Sequence, residues 1–160
     1  MTSYRLSKIV LAALLLAGTA SLATAADTQN LTVSASVQGV CRFSSSAQTL
    51  SFGTLNPATD GATTPGSGAA VTYRCTKGQV AAVLADNGLY DSGGRRMRHA
   101  TIVTDFIPYS LTITGGTQTG TGFGSGEDKA LGVAGSVSLT NYENVSAGNY
   151  ADTVTLTISP

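Results

Sequence analysis

The chain contains no tryptophan, one histidine, two cysteines and four prolines among 160 residues, and only 11% of it is charged. One His and two Cys leave little material for a catalytic triad or a metal cluster, which argues against an enzyme. Nine Lys and Arg balance nine Asp and Glu. Arg5 and Lys8 lie in the leading segment, so the remainder carries seven positive and nine negative charges, net −2. No basic excess is available to hold a nucleic acid. Apolar residues make up 42% of the chain, unlike the apolar-poor signature of disorder. After residue 25 no apolar run approaches the roughly 20 residues of a spanning helix, so no membrane span is expected there.

What is present begins with an address. Arg5 and Lys8 precede an apolar run from Ile9 to Ala17, and Ala23-Thr24-Ala25 is a small-residue cleavage pattern. Residues 1–25 are read as a secretory signal, cut between Ala25 and Ala26. Export gives the two cysteines their meaning. Cys41 and Cys75 are expected to form a disulfide, as a lone pair outside the cytoplasm does. On the chain-entropy model, closing a loop of this size stabilises by about 3–4 kcal/mol.

The rest of the chain alternates in period two. Leu31, Val33, Ala35 and Val37 share one face, as do Val154, Leu156 and Ile158, between which every position is Thr. Further strands are expected around 50–52, 70–73, 80–84, 97–103, 107–113 and 133–139. Turn pairs separate them, among them Asn56-Pro57, Pro65-Gly66, Asn87-Gly88 and Gly115-Gly116. Residues 115–126 read as a long exposed Gly/Thr/Ser loop. Many short strands with no amphipathic helix after residue 25 point to one all-β domain, an antiparallel β-sandwich.

Candidate chemistry is sparse. His99 would have to serve any triad, but no nucleophile-elbow pattern accompanies it, and beside Arg98 it reads as a surface histidine. The Gly-rich run 120–126 lacks the Lys and the spacing of a phosphate loop. Arg95, Arg96 and Arg98 form the one charge cluster, but alternation splits them between two faces of a strand, giving a solvated edge. Glu127-Asp128 and Asp86-Asn87 are too sparse for a calcium loop. Tyr73, Tyr90, Tyr109, Tyr142 and Tyr150 read as core or cross-strand residues before a sugar site. No catalytic residue, metal site or cofactor is expected.

Several fragments, in order, resemble the spore coat protein U domain family, which includes the secreted subunits of archaic, Csu-type chaperone–usher pili. They are Val40-Cys41, the run Leu50-Ser51-Phe52-Gly53-Thr54-Leu55-Asn56-Pro57, and Val71-Thr72-Tyr73-Arg74-Cys75-Thr76-Lys77-Gly78. Asn87-Gly88, Arg95-Arg96-Met97 and Tyr109-Ser110-Leu111 follow. The strongest is the final run from Ala147-Gly148-Asn149-Tyr150-Ala151-Asp152-Thr153-Val154 to Ile158.

The resemblance implies an immunoglobulin-like sandwich that lacks its last strand. The gap is filled first by a periplasmic chaperone and then, at an outer-membrane usher, by the N-terminal segment of the next subunit. On that reading residues 26–40 hold the donor strand, with Leu31, Val33, Ala35 and Val37 as its inserting side chains. Residues 41–160 form the domain, and Val154, Leu156 and Ile158 border the groove. From periodicity alone each stripe is equally a strand of a complete sandwich. The function implied is a structural subunit of a bacterial surface pilus or fibre, exported through the periplasm, built of the same or related pilin subunits, and serving adhesion or biofilm formation. The alternative is a spore-coat protein or a self-contained surface or carbohydrate-binding module.

Overall fold

The computed structural model describes residues 25–68 and 70–160. The signal segment therefore lies outside the described residues except for Ala25. The chain divides after Ala35. Residues 25–40 form no strand, so the alternation at Leu31, Val33, Ala35 and Val37 does not become a strand of this chain. Leu31, Val33 and Val37 are 85–87% exposed.

Residues 36–160 carry ten strands: β1 Cys41–Phe43, β2 Thr63–Pro65, β3 Ala70–Cys75, β4 Ala82–Ala85, β5 Arg96–His99, β6 Phe106–Pro108, β7 Ser110–Thr114, β8 Lys129–Ser138, β9 Tyr150–Ala151 and β10 Leu156–Ser159. One 3-10 turn, Leu139–Asn141, completes the elements of the described residues. The period-two pattern explains the strands. In β3 the apolar Val71, Tyr73 and Cys75 are buried while Thr72 and Arg74 between them are not. In β10 Leu156 and Ile158 are half-buried between exposed Thr157 and Ser159.

The strands form two layers, all paired antiparallel. In the first, β1 pairs β3 with Cys41 opposite Cys75, β3 pairs β8, and β7 pairs the other side of β8. β2 continues the line of β3 along β8, but Thr63 faces Ser138 whereas Ala70 faces Gly132, a one-residue slip between Pro65 and Ala70. That is a bulge, and it lets Ser67 bridge to Ser51. In the second layer β5 lies between β6 and β9, and β4 pairs β10. β4 and β5 are successive pieces of one broken strand, as are β9 and β10.

Two side-chain clusters join the layers. Val71, Tyr73, Cys75, Ala81, Val83 and Leu131 form one, with Leu156 and Ile158 packed against it. Ile107, Val137 and Tyr142 centre the other. Tyr73 is fully buried, and its hydroxyl is satisfied by donating to the Gly115 carbonyl at 2.7 Å. Cys41 and Cys75 are bridged, as expected.

In an immunoglobulin-like sandwich the strands lie A-B-E-D in one sheet and C-F-G in the other. Here β1, β2/β3, β8 and β7 stand in the order A-B-E-D. β4/β5 and β9/β10 take the places of C and F, and β6 is an added strand beside C. Among the described residues no strand stands in the place of G, on the second edge of β9/β10.

Other expectations need correction. Around 50–52 there is only the single bridge at Ser51, because the bulge offers one residue for pairing. The strand read over 97–103 stops at His99, where the chain turns and Asp105 donates its amide back to the Ile102 carbonyl. Residues 115–126 make no strand, but the loop is not wholly exposed. Gly120 is buried, exchanging backbone hydrogen bonds with Gly78 and Gln79 beside Cys75.

Arg74 on β3 holds Asp128 in a two-pronged ion pair at 2.7 and 2.8 Å, and Ser44 donates to the same carboxylate. The side-chain hydrogen bonds from Arg74, then from Ser44, lower the Asp128 carboxyl to about 2. A lowered carboxyl adds stability that is complete above its unfolded value, near ~4, and is lost as pH falls towards the folded one. Acid unfolding of the wild type should therefore steepen between about pH 4 and 2, and Asp128→Asn should flatten that limb. An unchanged acid profile in Asp128→Asn would contradict this.

Candidate functional site

A recess of about 1200 Å³ in the sandwich lies where strand G would stand. One wall is the segment after β1, from Phe43 through Phe52 to Leu55, and the other runs from Val145 to Leu156. Its floor is apolar: Val71, Met97, Ile107, Leu111 and Val133. β1 and β10 come near each other at one end of it. No hydrogen-bonded ladder joins them.

The orientation of the last strand follows from its attachment to the β4–β5 turn. Thr155 donates its amide to Asp86 Oδ1 at 2.9 Å and accepts the Asp86 amide at its carbonyl at 3.1 Å. In an antiparallel ladder, residues that exchange both backbone bonds alternate with residues that face the other way. Val154, Leu156 and Ile158 therefore turn their N–H and C=O groups away from β4. Val154 and Leu156 turn theirs into the recess they line. The open edge has a full row of backbone partners to offer and an apolar floor beneath it.

Asp152 completes the attachment. Its Oδ1 accepts the amides of Leu89 at 2.9 Å and Thr153 at 2.8 Å, and its Oδ2 accepts the Tyr109 hydroxyl at 2.7 Å. Gly88 has φ +81° and lies so close to this carboxylate that a Cβ would overlap it, which is why the Asn87-Gly88 turn ends in glycine. Burial, with the hydrogen bond to Asp152 second, pushes the Tyr109 hydroxyl well above its ordinary value. The Asp86 carboxyl is lowered, first by the Thr155 amide and then by that of Gly88. One edge of the last strand is thus held by the β4 ladder, with Asp86 and Asp152 fastening the run into it, while the other edge stays open. Neither role was read from the sequence. The Asp-x-x-Thr spacing of 152–155 was visible, but Tyr109 and Leu89 lie 43 and 63 positions from Asp152, and Thr155 lies 69 from Asp86.

The residues singled out earlier fall as follows. Val154 and Leu156 line the recess, whereas Ile158 packs into the first core cluster beyond it. Leu31, Val33, Ala35 and Val37 are exposed. His99 is not a surface residue: it is 6% exposed. Its Nδ1 accepts the amides of Thr101 and Ile102 at 3.1 and 2.9 Å, which leaves Nε2 to donate to the Ala147 carbonyl at 3.2 Å. The ring packs edge-on to Tyr150, 4.9 Å between centres. Both nitrogens are thus committed to main chain, and the expected exposure was wrong because the strand ends at His99 in a turn that the imidazole closes.

Arg96 and Arg98 lie over the rings of Phe106 and Tyr90 at 3.9 and 4.3 Å, and Arg95 turns to the Ala85 and Asp86 carbonyls. The split between two faces is as read. A second depression, about 500 Å³ between β4 and β7, has Arg95 as its one charged residue. Of the tyrosines, Tyr73 and Tyr142 are buried, and Tyr109 and Tyr150 line the recess.

Replacing Asp152 by Ala leaves the Leu89 amide and the Tyr109 hydroxyl without their acceptor. It should cost about 2–4 kcal/mol in urea unfolding, against about 1 for Tyr109→Phe. Equal, small losses in both variants would contradict the central place given to this carboxylate.

The family model of the Spore Coat Protein U domain matches residues 27–157. No curated protein matches the chain. Among solved structures the chain is similar to one in the CsuC–CsuE chaperone–tip adhesion subunit pre-assembly complex from the archaic chaperone–usher Csu pili of Acinetobacter baumannii. That similarity has 21% identity and a TM-score of 0.47, over 76% of this chain and 40% of that one. The chain thus spans two fifths of the length of that neighbour. The match of the family model over nearly the whole described chain places this protein in the spore coat protein U domain family.

Proposed function

We propose that the protein is a non-enzymatic structural subunit of a secreted bacterial fibre, joined to its neighbours by strand addition. The observation that carries this reading is the open second edge of β9/β10 above an apolar recess. An edge of that kind is an aggregation hazard unless a partner strand covers it. A donor strand would supply main-chain hydrogen bonds to Val154 and Leu156 and send alternate side chains to the floor.

Leu31, Val33, Ala35 and Val37 are the candidate inserting side chains. Seven residues of strand span about 20–23 Å, which fits along residues 150–158 at about 27–30 Å. Covering Leu31, Val33 and Val37 should contribute about 2 kcal/mol each. The donor would come from another copy or a sister subunit. A head-to-tail contact between two different surfaces does not close on itself, and so it grows a filament. A periplasmic chaperone would cover the recess before assembly and an outer-membrane usher would exchange it for the donor. The fibre would stand at the cell surface, in adhesion or biofilm formation.

Moving residues 26–37 from the front of the secreted chain to its end, through a short flexible linker, tests the reading. The rearranged chain should be monomeric and melt about 15–25 °C above the natural order, since each kcal/mol is worth about 3–5 °C at this size. If the natural order is the stable monomer and the rearranged chain is weaker, the recess is not completed by this segment. The self-contained binding module then becomes the better account.

A further inference from the structure

Residues 38–40 connect the candidate donor to β1, and they are held in a particular way. The Thr76 amide donates to the Val40 carbonyl at 2.9 Å. The Thr76 hydroxyl accepts the Val40 amide at 3.1 Å and donates to the Gln38 carbonyl at 3.1 Å. Gln79 packs against Gly39 so closely that a Cβ there would overlap its side-chain amide. Next to this cluster, the disulfide joins Cys41 to Cys75, the neighbour of Thr76. Three residues are therefore fastened as a continuation of β1 along the end of β3.

The end of β1 at Phe43 and the start of β10 at Leu156 line the same recess. For the chain's own segment 31–37 to fold back into it beside β1, the chain would have to reverse in a tight hairpin turn at residues 38–40, the short connection that most often reverses a strand. Gly39 is the residue able to make that turn, yet it does not adopt positive φ. Its neighbours on both sides are bound to Thr76.

We propose that Thr76, backed by the Cys41–Cys75 disulfide, is a positioning residue that keeps residues 38–40 extended, so that the recess is filled by a second copy's segment and not by the chain's own. The inference rests on the strand-addition reading above. It assigns a task to the hydroxyl in Cys75-Thr76-Lys77-Gly78. The apolar stripe and the recess it fits then coexist in one chain without cancelling each other.

The test compares three chains starting at Ala26: the natural one, Thr76→Val, and one with four glycines inserted between Val37 and Gln38. Each is refolded from denaturant with its disulfide intact, and size-exclusion chromatography measures monomer against polymer. Thr76→Val keeps the branched side chain and the backbone bond but removes both hydroxyl contacts. The glycine insertion supplies slack beyond the clamp.

The monomer fraction should rise at least fivefold in both variants. That monomer should be more heat-stable than the natural chain lacking residues 26–37, and adding Leu31→Asp and Val33→Asp should abolish the extra heat stability. A clamp that merely supported the fold would lower stability in Thr76→Val and would create no stripe-dependent monomer. Polymerisation of Thr76→Val at the natural level overturns the inference, whatever the glycine insertion does. If the natural chain forms no polymer and deleting residues 26–37 changes nothing, the strand-addition reading itself has failed.

Discussion

Thr155 donates its amide to the Asp86 carboxylate and accepts the Asp86 amide at its carbonyl, and that double attachment decides which way the last strand faces. Because backbone groups alternate along a strand, fastening Thr155 inward turns Val154 and Leu156 outward, over the recess. Asp152 fastens the neighbouring stretch to Leu89 and Tyr109. The open edge is therefore held rigid from behind. A floppy edge would lose ordering entropy on pairing, whereas a preordered one keeps most of the gain from new hydrogen bonds and buried side chains.

The same economy appears at the other wall. Ser44, just past β1, is tied to Asp128, which Arg74 holds from β3. Cys41 is tied to Cys75, and residues 38–40 are tied to Thr76. Each tie runs from the chain at or just before that wall back to β3 or to the residue after it, and the buried Val71, Tyr73 and Cys75 of β3 anchor the core. Both rims of the recess are thus fixed to the sandwich by polar or covalent contacts behind them, and the apolar floor is left uncovered.

Much of this was legible in the sequence, and for identifiable reasons. Alternation is a local property, so strands around 70–73, 107–113 and 154–158 and the all-β class could be read directly. The pairing of Cys41 with Cys75 followed from there being two cysteines in an exported chain. What could not be read depends on distant partners. His99 looked exposed because its neighbours are charged, but it is buried by Tyr150 and by the turn at 101–102, which no local pattern announces. Asp86 was read only as part of a pair too sparse for a calcium loop, and Asp152 only within the final run, until the fold brought Thr155 and Tyr109 to them. The stripe at 31–37 carries a strand's alternation and yet forms no strand here, since alternation alone does not supply a pairing partner.

The most direct measurement is amide hydrogen exchange at Val154 and Leu156 in a chain lacking residues 26–37, with and without a synthetic peptide of residues 27–39. Both amides should exchange quickly alone, while that of Thr155, bound to Asp86, exchanges slowly. Adding the peptide should slow Val154 and Leu156 strongly, and a peptide with Leu31 and Val33 replaced by Asp should not. If Val154 and Leu156 are already protected without peptide, or remain fast at saturating peptide, the open edge is not a site for strand addition.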